Sequence, residues 1–211
     1  MVSLPPSTES RAGSLALVGG ELALDFANTA SGRGSADHKD HIRSADNLLE
    51  WARHARALAP ADGDWLRQAL AVDPTLAARM LARALDLRES IHAAGAAIAA
   101  GAPAPAAAVE TIARTHAVCL ACARLAPLEG RYVWSWSPSE SPVEAVLGPI
   151  ALSALATLTQ GDLSRVKQCQ GDRCGWLFFD ATKNRSRRWC EMEVCGNRAK
   201  QRRHSARARG A

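Results

Sequence analysis

Four cysteines in the last quarter of the chain constrain its fold more than any other feature. They form two pairs, Cys169/Cys174 and Cys190/Cys195, with four residues inside each pair and fifteen between the pairs. Two closely spaced thiolates can occupy two corners of a tetrahedron, and a second pair can complete it, as in structural zinc sites. The spacing therefore predicts one structural Zn²⁺ bound by all four cysteines.

The same cysteines have another interpretation, as buried thiols or disulfides. Residues 1–13 are polar and rich in proline, without the basic and apolar segments of a secretory signal. We therefore expect a cytoplasmic chain whose thiols stay reduced, and spaced pairs of reduced cysteines more often bind metal. Four thiolates leave no ligand position for water, so the predicted zinc is structural and not catalytic.

The residues around the cysteines predict a small finger. Trp176, Phe178 and Phe179 are typical of a strand, and residues 180–184 are typical of the turn of a hairpin. The segment after Cys190 looks like the start of a helix that carries the last ligand. A knuckle, a hairpin and a helix in this order predict a treble-clef-like zinc finger.

Several stretches resemble a known family. The motifs CGWLFFD (residues 174–180) and RRWCEMEVCGNRAK (187–200) are similar to the CGNR zinc finger. In that family the finger follows an N-terminal ABATE domain, which is described as a stress-induced transcription regulator. The stretches GGELALDFANT (19–29) and LRE (87–89) resemble this partner domain. The resemblance implies a DNA-binding regulator.

Positive charge is concentrated in the predicted finger. Residues 163–211 hold thirteen Lys/Arg and four Asp/Glu, a net charge of +9, whereas residues 1–162 have a net charge of −4. A local positive field attracts polyanions, and arginine can bind phosphate or guanine through two hydrogen bonds. The candidate DNA-binding residues are Lys183, Arg185, Arg187, Arg188, Arg198, Lys200, Arg202 and Arg203.

Two of the residues after the last cysteine have a second interpretation. Asn197 could cap the final helix, and Arg198 could brace the knuckle by bonding backbone carbonyls or Asp180. The sequence supports this scaffold role and a DNA-contacting role about equally.

The N-terminal region predicts a mostly helical domain with a small antiparallel sheet, so the whole chain is of the α+β class. Alternating apolar residues in 15–29 predict two short strands about Gly19-Gly20, with Asp25 on the face away from the core. The strand predicted over residues 131–137, with Tyr132, Trp134 and Trp136 on one face, could pair with them. Helices are predicted from Ser44, over 61–72, from Asp73-Pro74, over 106–125 and from a capping box at Ser141 and Glu144.

The predicted organisation has four parts. Residues 1–13 are expected to be a disordered leader, and residues 14–161 an ABATE-like domain. Residues 162–204 form the CGNR-type finger, and residues 205–211 a basic tail.

Three other clusters in the N-terminal region have the residue types of functional sites. Arg88-Glu89 is expected to be a surface ion pair, although a buried pair could line a pocket with Asp25 and Asn28. Cys119 and Cys122 are expected to be small core residues, because no second pair stands nearby. Residues 37–41, which contain two His and two Asp, are expected to be a solvated loop.

The leading hypothesis is a zinc-dependent DNA-binding protein, a transcription regulator whose N-terminal domain receives a small-molecule or protein effector. The alternative is a zinc-finger adaptor that binds a protein partner or RNA. An enzyme centred on Asp25, Arg88 and Glu89 is not expected, because the chain lacks a nucleophile elbow, G-x-G-x-x-G and a P-loop. No membrane-spanning segment is expected, and the oligomeric state is open.

Overall fold

The computed structural model describes residues 10–33, 35–36 and 38–209. This part of the chain contains seven α-helices: α1 Leu22–Ala27, α2 Ala45–His54, α3 Pro60–Val72, α4 Pro74–Ala99, α5 Ala106–Ala121, α6 Pro142–Gln160 and α7 Asn197–Arg209. Three separate antiparallel sheets pair β1 Ala30–Ser31 with β2 Lys39–Asp40, β3 Arg124–Leu128 with β4 Arg131–Ser135, and β5 Val166–Gln168 with β6 Leu177–Phe179. The predicted α+β class, mostly helical with small antiparallel sheets, is confirmed.

The longest helix, α4, lies at the centre of the fold. Asp73 caps its first turn by accepting a hydrogen bond from the Leu76 N–H at 2.9 Å, and Pro74 occupies the first helical position. Apolar residues at steps of three and four form its buried stripe, which comprises Met80, Ala84, Leu87, Ile91 and Ala94. The helices α1, α2, α3, α5 and α6 all pack against it.

Residues 15–29 do not form the two strands that their alternation predicts. Residues 22–27 are the helix α1 instead. Ala23, Leu24, Phe26 and Ala27 are all buried, and their spacing of three and four residues fits a helix face. Because α1 packs against both α4 and α6, it needs apolar side chains over a wider arc than one face of a strand supplies. The strand prediction was wrong.

The strand predicted over residues 131–137 is present as β4, but its predicted pairing with N-terminal strands was wrong. β4 pairs with β3, which occupies residues predicted to end α5 and those that follow. Pro127 cannot continue a helix. Glu129 and Gly130 then adopt positive φ angles of 48° and 78°, which are those of a tight hairpin turn. The hairpin therefore forms locally.

The three aromatic residues of this segment have different surroundings. Tyr132 is 71% exposed and Trp134 is 41% exposed. Trp136 follows β4 and donates a hydrogen bond of 2.7 Å to the Cys119 carbonyl. Its ring also packs on Gly148 of α6, where a Cβ would overlap it at 2.3 Å. Of the three, Trp136 is thus the one that attaches the hairpin to the helices.

The predicted capping box of α6 does not form. The Ser141 hydroxyl donates to the Ser137 carbonyl at 3.2 Å, and Glu144 pairs with Arg83 at 2.5 Å. The helix still begins at Pro142, because the fixed φ of proline suits a first helical turn.

The leader predicted to be disordered is ordered from residue 10 onward, and residues 1–9 lie outside the described residues. The Ser10 hydroxyl donates a hydrogen bond of 2.8 Å to the His41 carbonyl. A 3₁₀ turn, Ala12–Ser14, packs against α2 and buries Ala12 completely. Residues 10–13 of the predicted leader are therefore part of the packed fold.

The strand β6 of the finger is built into the core of the N-terminal region. The Asn28 side chain accepts a hydrogen bond from the Leu177 N–H and donates one to the Leu177 carbonyl, both at 2.8 Å. The Phe179 N–H donates to the Gly19 carbonyl at 2.7 Å. The buried Leu177 side chain lies against Gly95 of α4, where a Cβ would come within 2.6 Å of it. The finger and the helices thus share one hydrophobic core.

Helix α6 is long and apolar enough to cross a membrane by length and composition alone. Half of it is buried inside the protein, including Val146, Leu147 and Ile150. Such burial is typical of the core helix of a folded domain.

Replacing Asn28 tests the contact between the N-terminal region and strand β6 of the finger. Asn28→Ala leaves the buried N–H and carbonyl of Leu177 without partners, so we expect a loss of roughly 2–4 kcal/mol in the free energy of unfolding. Urea unfolding measures it. Asn184→Ala, an exposed position of the same residue type, is the control and should change stability by less than about 0.5 kcal/mol. Equal effects of the two substitutions would contradict a stabilising contact between Asn28 and β6.

Candidate metal centre

The first cysteine pair lies in a knuckle between β5 and β6. Cys169 follows β5 and its N–H donates to the Trp176 carbonyl at 2.8 Å, while the Cys174 N–H donates to the Gly171 carbonyl at 3.0 Å. Gly175 then turns the chain with a φ of +73°, a conformation that favours glycine. The hairpin of the finger is thus formed around the knuckle.

The hairpin turn predicted at residues 180–184 was placed wrongly, because no strand follows it in the described part of the chain. These residues form a loop around the buried Asp180 instead. The Asp180 carboxylate accepts hydrogen bonds from the Thr182 hydroxyl at 2.6 Å, the Lys167 ammonium at 2.6 Å and the Arg187 N–H at 3.0 Å. Burial alone would raise the pKa of Asp180, but these donors hold it well below its usual range.

Arg187 supports the segment that leads to the second cysteine pair. Its guanidinium donates to the carbonyls of Val18, Trp189 and Cys190 at 2.8, 3.1 and 2.5 Å. It also lies over the Phe178 ring, 4.3 Å from the ring centroid. These contacts give Arg187 a structural role within the protein, and its contact with DNA stays a prediction.

The second pair is presented by a helical turn that continues into α7. The π-type turn Met192–Gly196 carries Cys195, whose N–H donates to the Glu191 carbonyl at 3.0 Å. The Asn197 amide donates to the Glu193 carbonyl at 2.9 Å. Asn197 therefore has a local scaffold role at the start of α7.

The four cysteine sulfurs converge. All four Sγ atoms lie within 4.8 Å of one another, and the Cys174–Cys190 and Cys190–Cys195 Sγ pairs are both separated by 3.6 Å. A disulfide would bring two sulfurs to about 2 Å. Zinc–sulfur bonds of about 2.3 Å in a tetrahedron place the sulfurs about 3.8 Å apart. The donor set thus fits a tetrahedral metal ion, and the six cysteines are free thiols.

The charge of the cluster also calls for a cation. Hydrogen bonds from the Cys174 and Cys190 thiols lower the pKa of Cys169. The pKa values of the other three are raised, for Cys174 and Cys190 chiefly by hydrogen bonding to neighbouring sulfurs and for Cys195 by burial. Four thiolates would together carry a charge of −4, and a divalent ion bound by all four sulfurs would reduce it to −2.

Two family profiles match the chain on either side of residue 163. The CGNR zinc finger matches residues 165–208. The ABATE family, described as "Putative stress-induced transcription regulator", matches residues 20–161, which is more than half of the chain. The chain belongs to the ABATE family. Both resemblances noted in the sequence motifs are confirmed. No curated protein matches the chain.

The candidate pocket residues of the ABATE domain do not converge on one site. Asp25 accepts a hydrogen bond from the Gly19 N–H at 2.7 Å, and Asn28 binds β6. Arg88 contacts Glu89 but neither Asp25 nor Asn28 by a hydrogen bond. The hypothesis of a shared pocket is therefore not supported, and Asn28 and Asp25 position the segment that holds the finger.

The expectation that Arg88-Glu89 is a surface ion pair was wrong for Arg88. The Arg88 side chain is only 4% exposed, and it binds both carboxylate oxygens of Asp40 at 2.7 Å. Glu89 is 49% exposed and pairs with Arg88 at 2.9 Å and with Arg33. Burial alone would raise the pKa of Asp40, but the Arg88 hydrogen bonds and charge lower it.

This pairing also corrects the expectation of a solvated loop at residues 37–41, of which Asp37 lies outside the described residues. Asp40 is occupied by Arg88, and His41 is buried. Burial lowers the pKa of His41. The sequence signal for the ion pair is that Arg88 lies beside the buried stripe of α4, where a charge needs a partner.

The cysteines outside the finger differ from each other. Cys119 is buried, as expected, and burial raises its pKa to about 12. Cys122 is exposed at the end of α5. The prediction of two core thiols was thus correct only for Cys119.

The remaining candidate DNA-binding residues fall into two groups. Three have partners, since Arg185 pairs with Asp162 at 2.9 Å, Arg188 binds Gln170 at 2.8 Å and Arg202 pairs with Asp172 at 3.0 Å. Three others are exposed without a hydrogen-bond or ion-pair partner among the described residues: Lys183, Arg198 and Lys200. The Arg203 side chain lies outside the described part.

Substituting one ligand tests the metal centre. Cys190→Ser should lower the zinc content from about one ion per chain to near zero, because three sulfurs do not complete the tetrahedron. It should also lower the melting temperature, since β6 is part of the main core. Elemental analysis and circular dichroism measure the two effects. Cys122→Ser is the matched control and should keep its zinc; an unchanged zinc content in Cys190→Ser would contradict the site.

The Asp25 carboxyl predicts a pH dependence of stability. Burial raises its pKa to about 6, against the opposing backbone hydrogen bonds of Gly19 and Val18. This raised pKa adds to the free energy of unfolding in full below the unfolded pKa of 3.8, and the added stability is lost as pH rises through about 6. The Asp25→Asn variant has no carboxyl to ionise and does not lose this stability. The difference between its free energy of unfolding and that of wild type should therefore shift in its favour by about 1 kcal/mol between pH 5 and pH 8. Urea unfolding at both pH values measures the change, and a constant difference would contradict it.

Proposed function

We propose that this ABATE protein is a zinc-dependent, DNA-binding transcription regulator whose finger binds one structural Zn²⁺ and contacts DNA. The observation that supports this most is that the cysteine cluster lies at the start of a basic helix. Cys195 is two residues before Asn197, where α7 begins, so a metal ion would fix the direction of that helix. The proposal includes a treble-clef-like fold for the finger.

Helix α7 has the size and composition of a DNA-contacting element. It spans 13 residues, which is about 20 Å of helix, and a major groove about 12 Å wide admits an α-helix. Ala199 is buried, whereas Arg198, Lys200 and Arg202 are exposed. Because successive helical residues are about 100° apart, Arg198 and Lys200 lie on opposite sides of the buried Ala199.

The charge supports phosphate contact more directly than base recognition. After Cys195 the chain has six Lys/Arg and no Asp/Glu, and residues of this type bind the backbone of any sequence. The proposal accordingly assigns Lys183 and Lys200 to phosphates.

The ABATE domain is proposed to receive an effector, a small molecule or a protein, and to act without catalysis in the cytoplasm. Asp25, Arg88 and Glu89 are each engaged by a structural partner, namely the Gly19 N–H, Asp40 and Arg33. No arrangement of nucleophile, base and orienting group is formed by these three.

A zinc-finger adaptor is the second candidate. Met192 and Val194 are 49% and 39% exposed on the turn before α7, and exposed apolar residues of this kind occur at protein interfaces. An acidic protein partner or RNA would also be attracted by the basic helix.

A titration of the full-length, zinc-loaded protein with duplex DNA at several salt concentrations tests the proposal. Each phosphate contact contributes about 0.9 to the slope of log affinity against log salt, so Lys183→Ala with Lys200→Ala should reduce the slope by about 1.8. The matched control is Arg79→Ala with Arg131→Ala, two exposed cations of the ABATE domain. Fluorescence anisotropy gives the affinities, and chelation of zinc should abolish specific binding.

Three outcomes would count against DNA as the ligand: no binding at low salt, a slope that neither double substitution changes, or affinity that survives chelation. Single-stranded RNA that competes better than duplex DNA would favour the adaptor.

A further inference from the structure

A short ribbon of the ABATE domain, formed by β1 and β2, lies against the knuckle of the finger. The Gly32 N–H, directly after β1, donates a hydrogen bond of 3.0 Å to the carbonyl of the metal-site residue Cys174. Each strand of the ribbon has only two residues, and a two-stranded ribbon of this kind is not stable in water by itself. Other contacts must therefore hold the Gly32 amide in place.

Two ion pairs attach the ribbon to α4. In β2, Asp40 is bound through both carboxylate oxygens by Arg88 at 2.7 Å. After β1, Arg33 binds both carboxylate oxygens of Glu89, with a distance of 3.1 Å from Arg33 Nη2 to Glu89 Oε1. Glu89 also accepts a hydrogen bond of 2.9 Å from Arg88. The four side chains therefore form one row of alternating charges, which fixes both strands of the ribbon to the central helix.

Helix α4 also contacts the knuckle directly. His92 lies one turn after Glu89, and its Nε2 is 3.2 Å from the Gly175 carbonyl. The backbone of Gly175 packs on Arg33, since a Cβ at Gly175 would lie 3.5 Å from the Arg33 Cβ. The carbonyls of Cys174 and Gly175 are thus both bound by groups of the ABATE domain.

Cys174 is the sulfur ligand whose position depends most on such contacts. The other three cysteines of the centre are buried, whereas Cys174 is half-buried and lines a cleft of about 950 Å³ together with Gly32. Apolar packing therefore holds Cys174 less firmly than the other three. A ligand that is already held near its bound position loses less conformational freedom when the ion binds, so the affinity is higher.

We propose that Arg33, Glu89 and His92 are positioning residues of the metal centre, which raise its affinity for Zn²⁺ by holding the Cys174–Gly175 turn. The inference rests on the proposed function, because it takes Zn²⁺ as the ion of the centre. None of the three supplies a metal ligand, and each acts through the backbone of the turn. Because linkage is reciprocal, the bound ion should in turn hold the ribbon more firmly. The metal content of the finger is thereby coupled to the position of an element of the ABATE domain.

Two substitutions in the full-length protein test this role. Glu89→Gln removes the charge that binds Arg33, and His92→Ala removes the hydrogen bond to Gly175. Each should lower the zinc affinity about tenfold, as is typical of groups that orient metal ligands. Competition with a chelator of known affinity measures it. Glu144→Gln is the matched control, because it neutralises another carboxylate that pairs with an arginine of α4, and it should leave the zinc affinity unchanged.

Three further measurements separate positioning from a general loss of stability. Urea unfolding of the metal-free protein should show losses of similar size for Glu89→Gln and Glu144→Gln, although only the first loses affinity. The absorption spectrum with Co²⁺ should be that of a tetrahedral four-thiolate site in every variant, because no ligand is changed. His92→Gln keeps an N–H donor and should recover part of the affinity that His92→Ala loses. In wild type, hydrogen exchange of the Gly32 amide should slow when zinc is bound.

The inference is overturned if Glu89→Gln and His92→Ala bind zinc as tightly as Glu144→Gln, or if all three lose affinity in proportion to their stability. If Glu89→Gln does not fold by circular dichroism, the comparison of His92→Ala with His92→Gln decides. A wild-type protein that binds zinc but no DNA would end the proposed DNA binding and leave this inference standing, whereas one that binds no zinc would end both.

Discussion

The backbone of β6 is held from two directions, and the position of the metal centre depends on this. On one side β6 pairs with β5 around the knuckle that contains Cys169 and Cys174. On the other, Asn28 and Gly19 satisfy the peptide groups of Leu177 and Phe179. A buried peptide group without a partner is costly, so β6 cannot slide along the ABATE domain. Two of the four sulfurs are thereby fixed relative to the helices.

The other two sulfurs are fixed by polar contacts, because the finger has little hydrophobic core of its own. Its buried cluster consists of Phe178 and three cysteines. Asp180 and Arg187 compensate by binding backbone groups of the loop between the two pairs. A bound metal would add further stability to the finger, as in other small modules that lack a sufficient hydrophobic core.

The features that sequence predicted correctly are local ones. The cap at Asp73 and the periodic stripe of α4 lie within one segment, and so does the spacing of each cysteine pair. The alternation in residues 22–26 fitted a strand and a helix, and the choice depends on packing against α4 and α6. The partner of Arg88 is 48 residues away in sequence, so its burial could be suspected from the stripe but its pairing could not be derived.

The formal charge of the finger overstates the field that a polyanion would meet. The value of +9 for residues 163–211 counts the cysteines as neutral. A zinc ion with four thiolates carries a net charge of −2, which lowers the total to +7. Three of those cysteines line the same cleft as Arg198, so this negative charge reduces the positive field at the start of α7.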